Sequence, residues 1–167
     1  MAANSDDAGI VNVLHISDLH LTNRRAHDKE QDVILGALVD DMERLVISGL
    51  KPDLVIFGGD LANDADESGI YYTAFEKLFE PVLQKTRLSG ERLIISPGNH
   101  DARRTVVKAN AAQHREFSGR TSVADMNALY REDHYQNLQR DKFQTFKDIY
   151  ELAESPGLDF GRGYSIC

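Results

Sequence analysis

Three short polar motifs in this chain each follow an apolar run and carry side chains that are common metal ligands. They hold six candidate residues: Asp18 and His20 in the first, Asp60 in the second, and the consecutive Asn99, His100 and Asp101 in the third. Taken alone, each motif is compatible with a polar turn. Taken together, oxygen and imidazole donors without thiolate favour a hard or borderline divalent ion such as Mn, Fe, Zn or Ni.

The residue types suit a site for two ions. On an extended segment Asp18 and His20 project to the same side, because they are two residues apart. The glycines at 58–59 allow a sharp turn before Asp60, whose two carboxylate oxygens could bridge two ions. Asn99 offers only a neutral carbonyl oxygen, which leaves a second ion more electrophilic. Two ions roughly 4 Å apart activate water and stabilise an in-line displacement at phosphorus.

Parallel strands are the elements that must bring these motifs together. Apolar, β-branched runs precede all three motifs, at 11–16, within 53–60 and within 92–101. Helical periodicity fills the intervals at 28–48 and 71–83, where Pro81 is expected to kink or divide the second helix. Strands that alternate with helices predict a layered α/β fold around a parallel sheet. The carboxyl ends of such strands share one edge, so we expect the motifs to meet there.

The ordered set "DLH", "GGD" and "GNHD" resembles the first three motifs of the calcineurin-like metallophosphoesterases, over residues 11–101. The resemblance implies a layered α/β metallophosphoesterase fold with a β-α-β-α-β core. It also implies a hydrolase with a binuclear metal centre that cleaves phosphomonoesters or phosphodiesters, including nucleotides, cyclic nucleotides and DNA. The motifs look most like those of the phosphodiesterase and nuclease branch, which favours a diester substrate.

The same resemblance implies a role for each motif residue. It places Asp18 and His20 on the first ion, Asp60 between both ions, and Asn99 on the second ion. His100 would face the substrate, where it stabilises the phosphoryl oxygens or protonates the leaving oxygen. Asp101 would orient the His100 ring, as hydrogen-bonding partners of functional histidines commonly do.

One departure from the family pattern concerns the later metal ligands. Family members complete the site with a further histidine and a "GHxH" motif, and the 167 residues contain neither. We therefore expect a fragment of a longer enzyme, to which remaining domain segments or a partner chain supply ligands. On its own the chain is expected to bind metal weakly and to hydrolyse slowly or not at all. The alternative is a non-catalytic scaffold or regulatory module with an incomplete metal site.

The remaining segments divide the chain around this region. We expect a polar tail at 1–10, the N-terminal half of a metallophosphoesterase domain at 11–101, a helical insertion or lid at 102–155, and the start of a further strand at 156–167. Arg103 and Arg104 follow the third motif and either grip substrate phosphates or form ordinary solvated surface. His15, inside the first strand, is interpreted as a core histidine. The acidic loop at 64–67 is interpreted as hydrated.

Composition limits the partners of the chain. The 19 basic and 27 acidic residues give a formal charge of −8, which argues against a broad basic face for nucleic acid but not against a small phosphate ester. A single cysteine, Cys167, excludes an intramolecular disulfide. The polar N-terminus lacks the pattern of a signal peptide, and no apolar run approaches the roughly 18 residues of a membrane span. We therefore expect no membrane partner and a cytoplasmic location.

Overall fold

The computed structural model describes residues 9–23 and 28–153. Its strands are β1 (Val13–Ile16), β2 (Leu54–Phe57) and β3 (Leu93–Ile95); its α-helices are α1 (Asp28–Ile47), α2 (Ile70–Ala74), α3 (Glu80–Thr86), α4 (Arg104–Ala109), α5 (Ala111–Ser118), α6 (Val123–Leu129), α7 (Asp133–Lys142) and α8 (Lys147–Ala153). Most of the predicted tail at 1–10 and the predicted strand at 156–167 lie outside the described residues.

The three strands form a parallel sheet in the order β1-β2-β3, with helices in the intervals. This confirms the α/β fold that the alternation of strands and helices predicted. Leu14 pairs with Val55, and Val55 pairs with Leu93, so these three side chains lie on the same face of the sheet. Val55 and Leu93 are fully buried on that face. The parallel register puts the carboxyl ends of all three strands at one edge, next to the three motifs.

Helices cover one face of the sheet. Phe57 packs edge to face on Phe79, at 5.5 Å between ring centroids, and this contact joins β2 to the second helical region. The backbone of that region stays helical from Ile70 to Thr86, with a π-helical turn at Phe75–Phe79 directly before α3, and Pro81 is the second residue of α3. The kink or division expected at Pro81 therefore stays a prediction, and the observed irregularity is the π-helical turn before it. Within the described residues, no helix is long and apolar enough to cross a membrane.

The opposite face of the sheet remains open in the described part of the chain. Val13 is 49% exposed and Ile94 is 43% exposed. His15 is two residues from Val13 on β1 and in register with Ile94 across β2, so it lies on the same face. It is also exposed, so its interpretation as a core histidine was wrong. The reason is the period of two along β1, which turns residues 13 and 15 away from the helices.

The segment after the third motif is helical, with no strand between 104 and 153 in the described chain. Its last helix, α8, packs into the main core, where Phe146 and Ile149 are fully buried. The Tyr150 hydroxyl donates a hydrogen bond of 2.8 Å to the carbonyl oxygen of Ile95. This bond ties α8 to the strand that leads into the third motif.

Candidate metal centre

The loops after β1 and β2 continue to pair beyond the ends of the strands. The amide of Asp18 donates to Gly59 O at 3.0 Å, and the amide of His20 donates to Asp60 O at 3.0 Å. Leu21 and Ala62 then form a parallel bridge. These contacts hold the first two motifs side by side, so the positions of their side chains are set by backbone hydrogen bonds.

The backbone of these loops is left-handed at the candidate ligands. Asp18, His20 and Asp60 have φ values of 59°, 47° and 55°, a conformation that residues other than glycine seldom adopt. The sequence interpretation placed Asp18 and His20 on an extended segment, and the left-handed backbone at both residues shows that this was wrong. Strained backbone of this kind costs on the order of 1–3 kcal/mol per residue and is concentrated at functional sites.

Two glycines allow the second and third motifs to approach each other. A Cβ atom on Gly59 would lie 2.9 Å from the Cα of Gly98, and the φ of Gly59 is 115°. A Cβ atom on Gly98 would collide with the carboxylate and amide nitrogen of Asp60. Only glycine at both positions permits this contact, which explains why "GGD" and "PGN" contain them.

His20, Asp60 and His100 come together at this edge of the sheet. One potential ligand atom from each of them lies within 4.8 Å of the others. The two imidazole rings meet edge to face, with centroids 4.6 Å apart. All three residues are partly buried. Two imidazoles and one carboxylate form a donor set that suits a borderline divalent ion, so these residues fit the kind of metal that the motifs predicted.

The other two predicted ligands are placed differently. Asp18 is exposed and lies outside the group of acidic and imidazole side chains that meet at this edge, although its backbone is fixed to Gly59. Asn99 is exposed in the loop after β3. Asp18 and Asn99 therefore flank the cluster, and their predicted roles as ligands remain predictions.

His100 has a defined orientation. Its Nδ1 lies 3.0 Å from the carbonyl oxygen of Asn63, which can only accept a hydrogen bond, and 3.4 Å from Nη2 of Arg104, which can only donate; the shorter contact favours a proton on Nδ1. The neutral ring then has its lone pair on Nε2, available to a metal or to a hydrogen-bond donor. The amide of His100 donates to Asp60 Oδ1 at 2.9 Å, which orients the Asp60 carboxylate.

Asp101 does not hold the His100 ring, and this corrects the sequence interpretation. The side chain of Asp101 is fully buried, and its carboxylate accepts hydrogen bonds from the amides of Leu61, Ala62 and Gly98 at 3.1, 3.0 and 2.9 Å. The Tyr71 hydroxyl donates a fourth bond of 3.1 Å. Asp101 thus cross-links the loops of the second and third motifs.

Burial and hydrogen bonding oppose each other at this carboxyl. Burial raises the pKa of Asp101 above its ordinary value, while the hydrogen bonds from the three amides and from Tyr71 act in the other direction by favouring the charged form. Burial also raises the pKa of Tyr71, with a further contribution from the charge of Asp101. The tyrosine therefore stays protonated and remains a donor to the carboxylate.

The two arginines after the third motif have different surroundings. Arg103 donates from Nε to Asp66 Oδ1 at 3.3 Å, and this contact anchors it to the acidic loop. Arg104 donates from Nη2 to Asn63 O at 3.2 Å and lies 3.4 Å from His100 Nδ1. Its side chain is 51% exposed. Of the two, Arg104 lies next to the cluster of candidate metal ligands.

The acidic loop is structural, and its interpretation as simply hydrated was wrong. Asp66 accepts hydrogen bonds from the amide and the hydroxyl of Thr105, at 2.9 and 2.7 Å, and so fixes the start of α4. Glu67 accepts from the Thr22 hydroxyl and from the amide of Asn23. The loop after β2 therefore connects the loops after β1 and β3. Sequence spacing gives no signal for these contacts, because their partners are about 40 residues apart.

Comparison with known proteins decides the family. The sequence model of the calcineurin-like phosphoesterases matches residues 11–166. The chain belongs to the calcineurin-like phosphoesterase family. This confirms the resemblance that the three motifs carried, and the match extends beyond residues 11–101, where those motifs lie.

A curated relative supports the same family. It is a cAMP/cGMP dual specificity phosphodiesterase from Mycobacterium tuberculosis (strain CDC 1551 / Oshkosh), 36% identical over 94 residues. The alignment covers 54% of this chain and 27% of the relative. This calcineurin-like phosphoesterase chain therefore spans about a quarter of the length of that protein. Metal-dependent hydrolysis of phosphoesters is the chemistry of the family as a whole.

Proposed function

We propose that the protein is a phosphodiesterase that hydrolyses a nucleotide, a cyclic nucleotide or a nucleic acid by a two-metal mechanism in its full-length form. The observation that carries this proposal is the convergence of His20, Asp60 and His100 at the carboxyl edge of the sheet. Membership of the family supports phosphoester hydrolysis, and the name of the M. tuberculosis relative supports a diester substrate.

In the proposed binuclear centre Asp18 and His20 would hold the first ion, Asp60 would be shared by both ions, Asn99 would hold the second ion, and His100 would face the phosphoryl group. Remaining domain segments or a partner chain would supply further ligands. Divalent ions such as Mn, Fe, Zn or Ni would supply Lewis acidity toward the phosphoryl oxygens and lower the pKa of water.

The residues of the chain position the reacting groups. Because the His100 amide holds one oxygen of Asp60, the carboxylate is fixed before any ion binds. The short contact with Asn63 O favours the tautomer of His100 that has its proton on Nδ1, and this tautomer leaves the lone pair on Nε2. Arg104 has an exposed guanidinium beside this ring and could bind a non-bridging phosphate oxygen. Asp101 acts at a distance, because it holds the two loops together.

Replacement of Asp60 by Asn in the full-length protein tests the proposal. The amide keeps the size of the side chain but removes its charge, so hydrolysis of bis(p-nitrophenyl) phosphate with Mn²⁺ should fall by more than about 100-fold, in line with loss of a group that organises charge at the reaction centre. Asp41→Asn, on the exposed surface of α1, is the matched control and should keep the wild-type rate. Wild-type hydrolysis by Asp60→Asn would refute the assignment.

A second outcome separates the enzyme from the scaffold alternative. If the full-length protein binds ions at this site but hydrolyses neither model diesters nor cyclic nucleotides, the non-catalytic module is the correct interpretation.

A further inference from the structure

We infer, building on the function proposed above, that Asp66 is a positioning residue. It holds the start of α4 in place, so that the guanidinium of Arg104 stays beside His100 and binds a non-bridging oxygen of the substrate phosphate. Asp66 thereby sets the affinity for substrate through Arg104 and not through a contact of its own with the phosphate.

Helix α4 begins without a capping side chain of its own. Arg103 occupies the N-cap position, and a guanidinium can only donate hydrogen bonds, so it cannot accept one from the amides of the first turn. Asp66, in the loop after β2, supplies the acceptor: its Oδ2 accepts from the amide of Thr105 at 2.9 Å, and its Oδ1 accepts from the Thr105 hydroxyl at 2.7 Å. The cap of α4 therefore comes from another loop, 39 residues earlier in the chain.

The carboxylate of Asp66 restrains the backbone on both sides of Arg104. Its Oδ1 also accepts from Nε of Arg103 at 3.3 Å, so Arg104 lies between two residues that are bonded to one side chain. The amide of Arg103 donates to Lys142 O at 2.9 Å, which brings the end of α7 to the same point. Only 21% of the Asp66 side chain is exposed, so these bonds are partly shielded from water.

The loop that contains Asp66 also holds the guanidinium of Arg104. Nη2 donates to the carbonyl oxygen of Asn63 at 3.2 Å and lies 3.4 Å from Nδ1 of His100. Oδ1 of Asp64 accepts from the amide of Asp66, and Oδ2 of Asp64 lies 3.9 Å from Nη1 of Arg104. One loop thus fixes both the backbone and the guanidinium of Arg104, and it places a cation beside the histidine that is proposed to face the phosphoryl group.

The charge of Arg104 is available to a substrate oxygen. Its ion pair with Asp64 is long, its contact with Asn63 is to a neutral carbonyl, and its side chain is half exposed. A planar guanidinium in this state suits a phosphate, to which it presents several N–H groups. Because the chain has a formal charge of −8, a cation held at the site also offsets the repulsion of an anionic ester.

A change in substrate affinity is the expected consequence of losing Asp66. A non-bridging oxygen of a phosphodiester is charged before and during the reaction, so a guanidinium on this oxygen stabilises the bound substrate and the transition state alike. Loss of such an interaction raises KM and leaves kcat nearly unchanged. A hydrogen bond to a charged group contributes about 10-fold or more to affinity, which sets the size of the effect.

Steady-state hydrolysis of bis(p-nitrophenyl) phosphate by the full-length protein with Mn²⁺ tests the role of Asp66. Asp66→Ala should raise KM about 10-fold and change kcat by less than about twofold. Ser122→Ala is the matched control, because Ser122 caps α6 in the same helical segment by accepting from the amide of Asp125 at 3.0 Å. This control removes the same kind of contact from a helix that does not carry Arg104, and its KM should equal that of the wild type.

A double-mutant cycle with Arg104→Ala separates positioning from general destabilisation. If Asp66 acts through Arg104, Asp66→Ala should raise KM by less than about twofold once Arg104 is alanine. Equal increases of KM with and without Arg104 would show that Asp66 affects only the stability of the helical segment, and this would overturn the inference. A wild-type KM in Asp66→Ala would overturn it as well.

Binding of inorganic phosphate to the Mn²⁺-loaded full-length protein, followed by isothermal titration, gives a readout that needs no turnover. Asp66→Ala and Arg104→Ala should each weaken phosphate binding about 10-fold, also if the protein proves to be the non-catalytic module. Wild-type phosphate affinity in Asp66→Ala would overturn the inference. Failure of the proposed function would show instead as wild-type hydrolysis by Asp60→Asn.

A milder variant serves if Asp66→Ala does not fold. Thr105→Val keeps the shape of the side chain and removes only the hydroxyl that donates to Asp66 at 2.7 Å. It should raise KM and weaken phosphate binding by about threefold, in line with loss of one hydrogen bond to a carboxylate at the surface. Wild-type values of both quantities in Thr105→Val would then overturn the inference.

Discussion

Replacing Asp101 by Ala should destabilise the protein more than any surface change, because this carboxylate joins two loops from the interior. Its side chain is fully buried and accepts four hydrogen bonds, three from the amides of Leu61, Ala62 and Gly98 and one from Tyr71. Alanine leaves these donors without a partner. Each buried donor left without an acceptor costs about 1–3 kcal/mol, and water that enters the site offsets part of this cost. We therefore expect the free energy of unfolding to fall by about 4 kcal/mol or more.

Urea unfolding followed by circular dichroism measures this loss. A domain of ordinary stability has only about 5–15 kcal/mol in total, so Asp101→Ala should unfold at a much lower urea concentration. Asp101→Asn should also be strongly destabilised. Both oxygens of the Asp101 carboxylate accept hydrogen bonds, and in asparagine an NH₂ group, which can only donate, replaces one of them.

The matched control is Asp41→Ala. Asp41 is 63% exposed and pairs with Arg44 one turn along α1, an exposed contact worth roughly 0.3–0.5 kcal/mol. If Asp101→Ala is no less stable than Asp41→Ala, the four bonds do not hold the loops together and the structural role assigned to Asp101 is wrong.

Further predictions concern a glycine contact and two titrating groups. Gly98→Ala should displace the Asp60 carboxylate, with which its Cβ would collide, and isothermal titration should show weaker Zn²⁺ binding. Within the described residues Nε2 of His114 is buried without a hydrogen-bond partner, so His114→Leu should gain about 1 kcal/mol in urea unfolding. Burial lowers the pKa of His114 below 6.5, so as the pH falls the unfolded chain takes up the proton before the folded chain does. The free energy of unfolding of the wild-type chain should therefore fall as the pH drops below about 6.5, and that of His114→Leu should fall less. Burial raises the pKa of Asp66, but the hydrogen bonds from Thr105 together with the hydrogen bond and the charge of Arg103 outweigh burial and bring the pKa below 3.8. The stability that this lowered pKa provides above pH 3.8 should be lost at lower pH, so the free energy of unfolding of Asp66→Asn should depend less on pH in the acid range.

Periodicity and glycine placement were sufficient to predict the fold around the site. The apolar runs ending before Asp18, Asp60 and Asn99 became parallel strands, because alternation with helices leaves few other arrangements. Pro81 predicted an irregularity in the second helix, and a π-helical turn lies directly before α3, in which Pro81 is the second residue. The meeting of the motifs then followed from strand direction alone.

The details of the site depend on contacts between loops, which sequence spacing does not encode. The left-handed backbone at His20 arises from pairing with the loop after β2. The partner of the His100 ring is a backbone carbonyl, that of Asn63, and every residue type has such a group, so no sequence signal marks it. The family resemblance implied that Asp101 orients the His100 ring, but the Asp101 carboxylate accepts hydrogen bonds from the amides of the neighbouring loop instead.

The most direct test of the metal centre is anomalous diffraction from crystals of this chain grown with Zn²⁺. The proposed centre predicts a peak at the zinc edge beside the cluster of His20, Asp60 and His100, within about 2.2 Å of ligand atoms from His20 and Asp60. A zinc peak elsewhere on the protein, with His20 and Asp60 uncoordinated, would contradict the assignment of the metal centre to the carboxyl edge of the sheet.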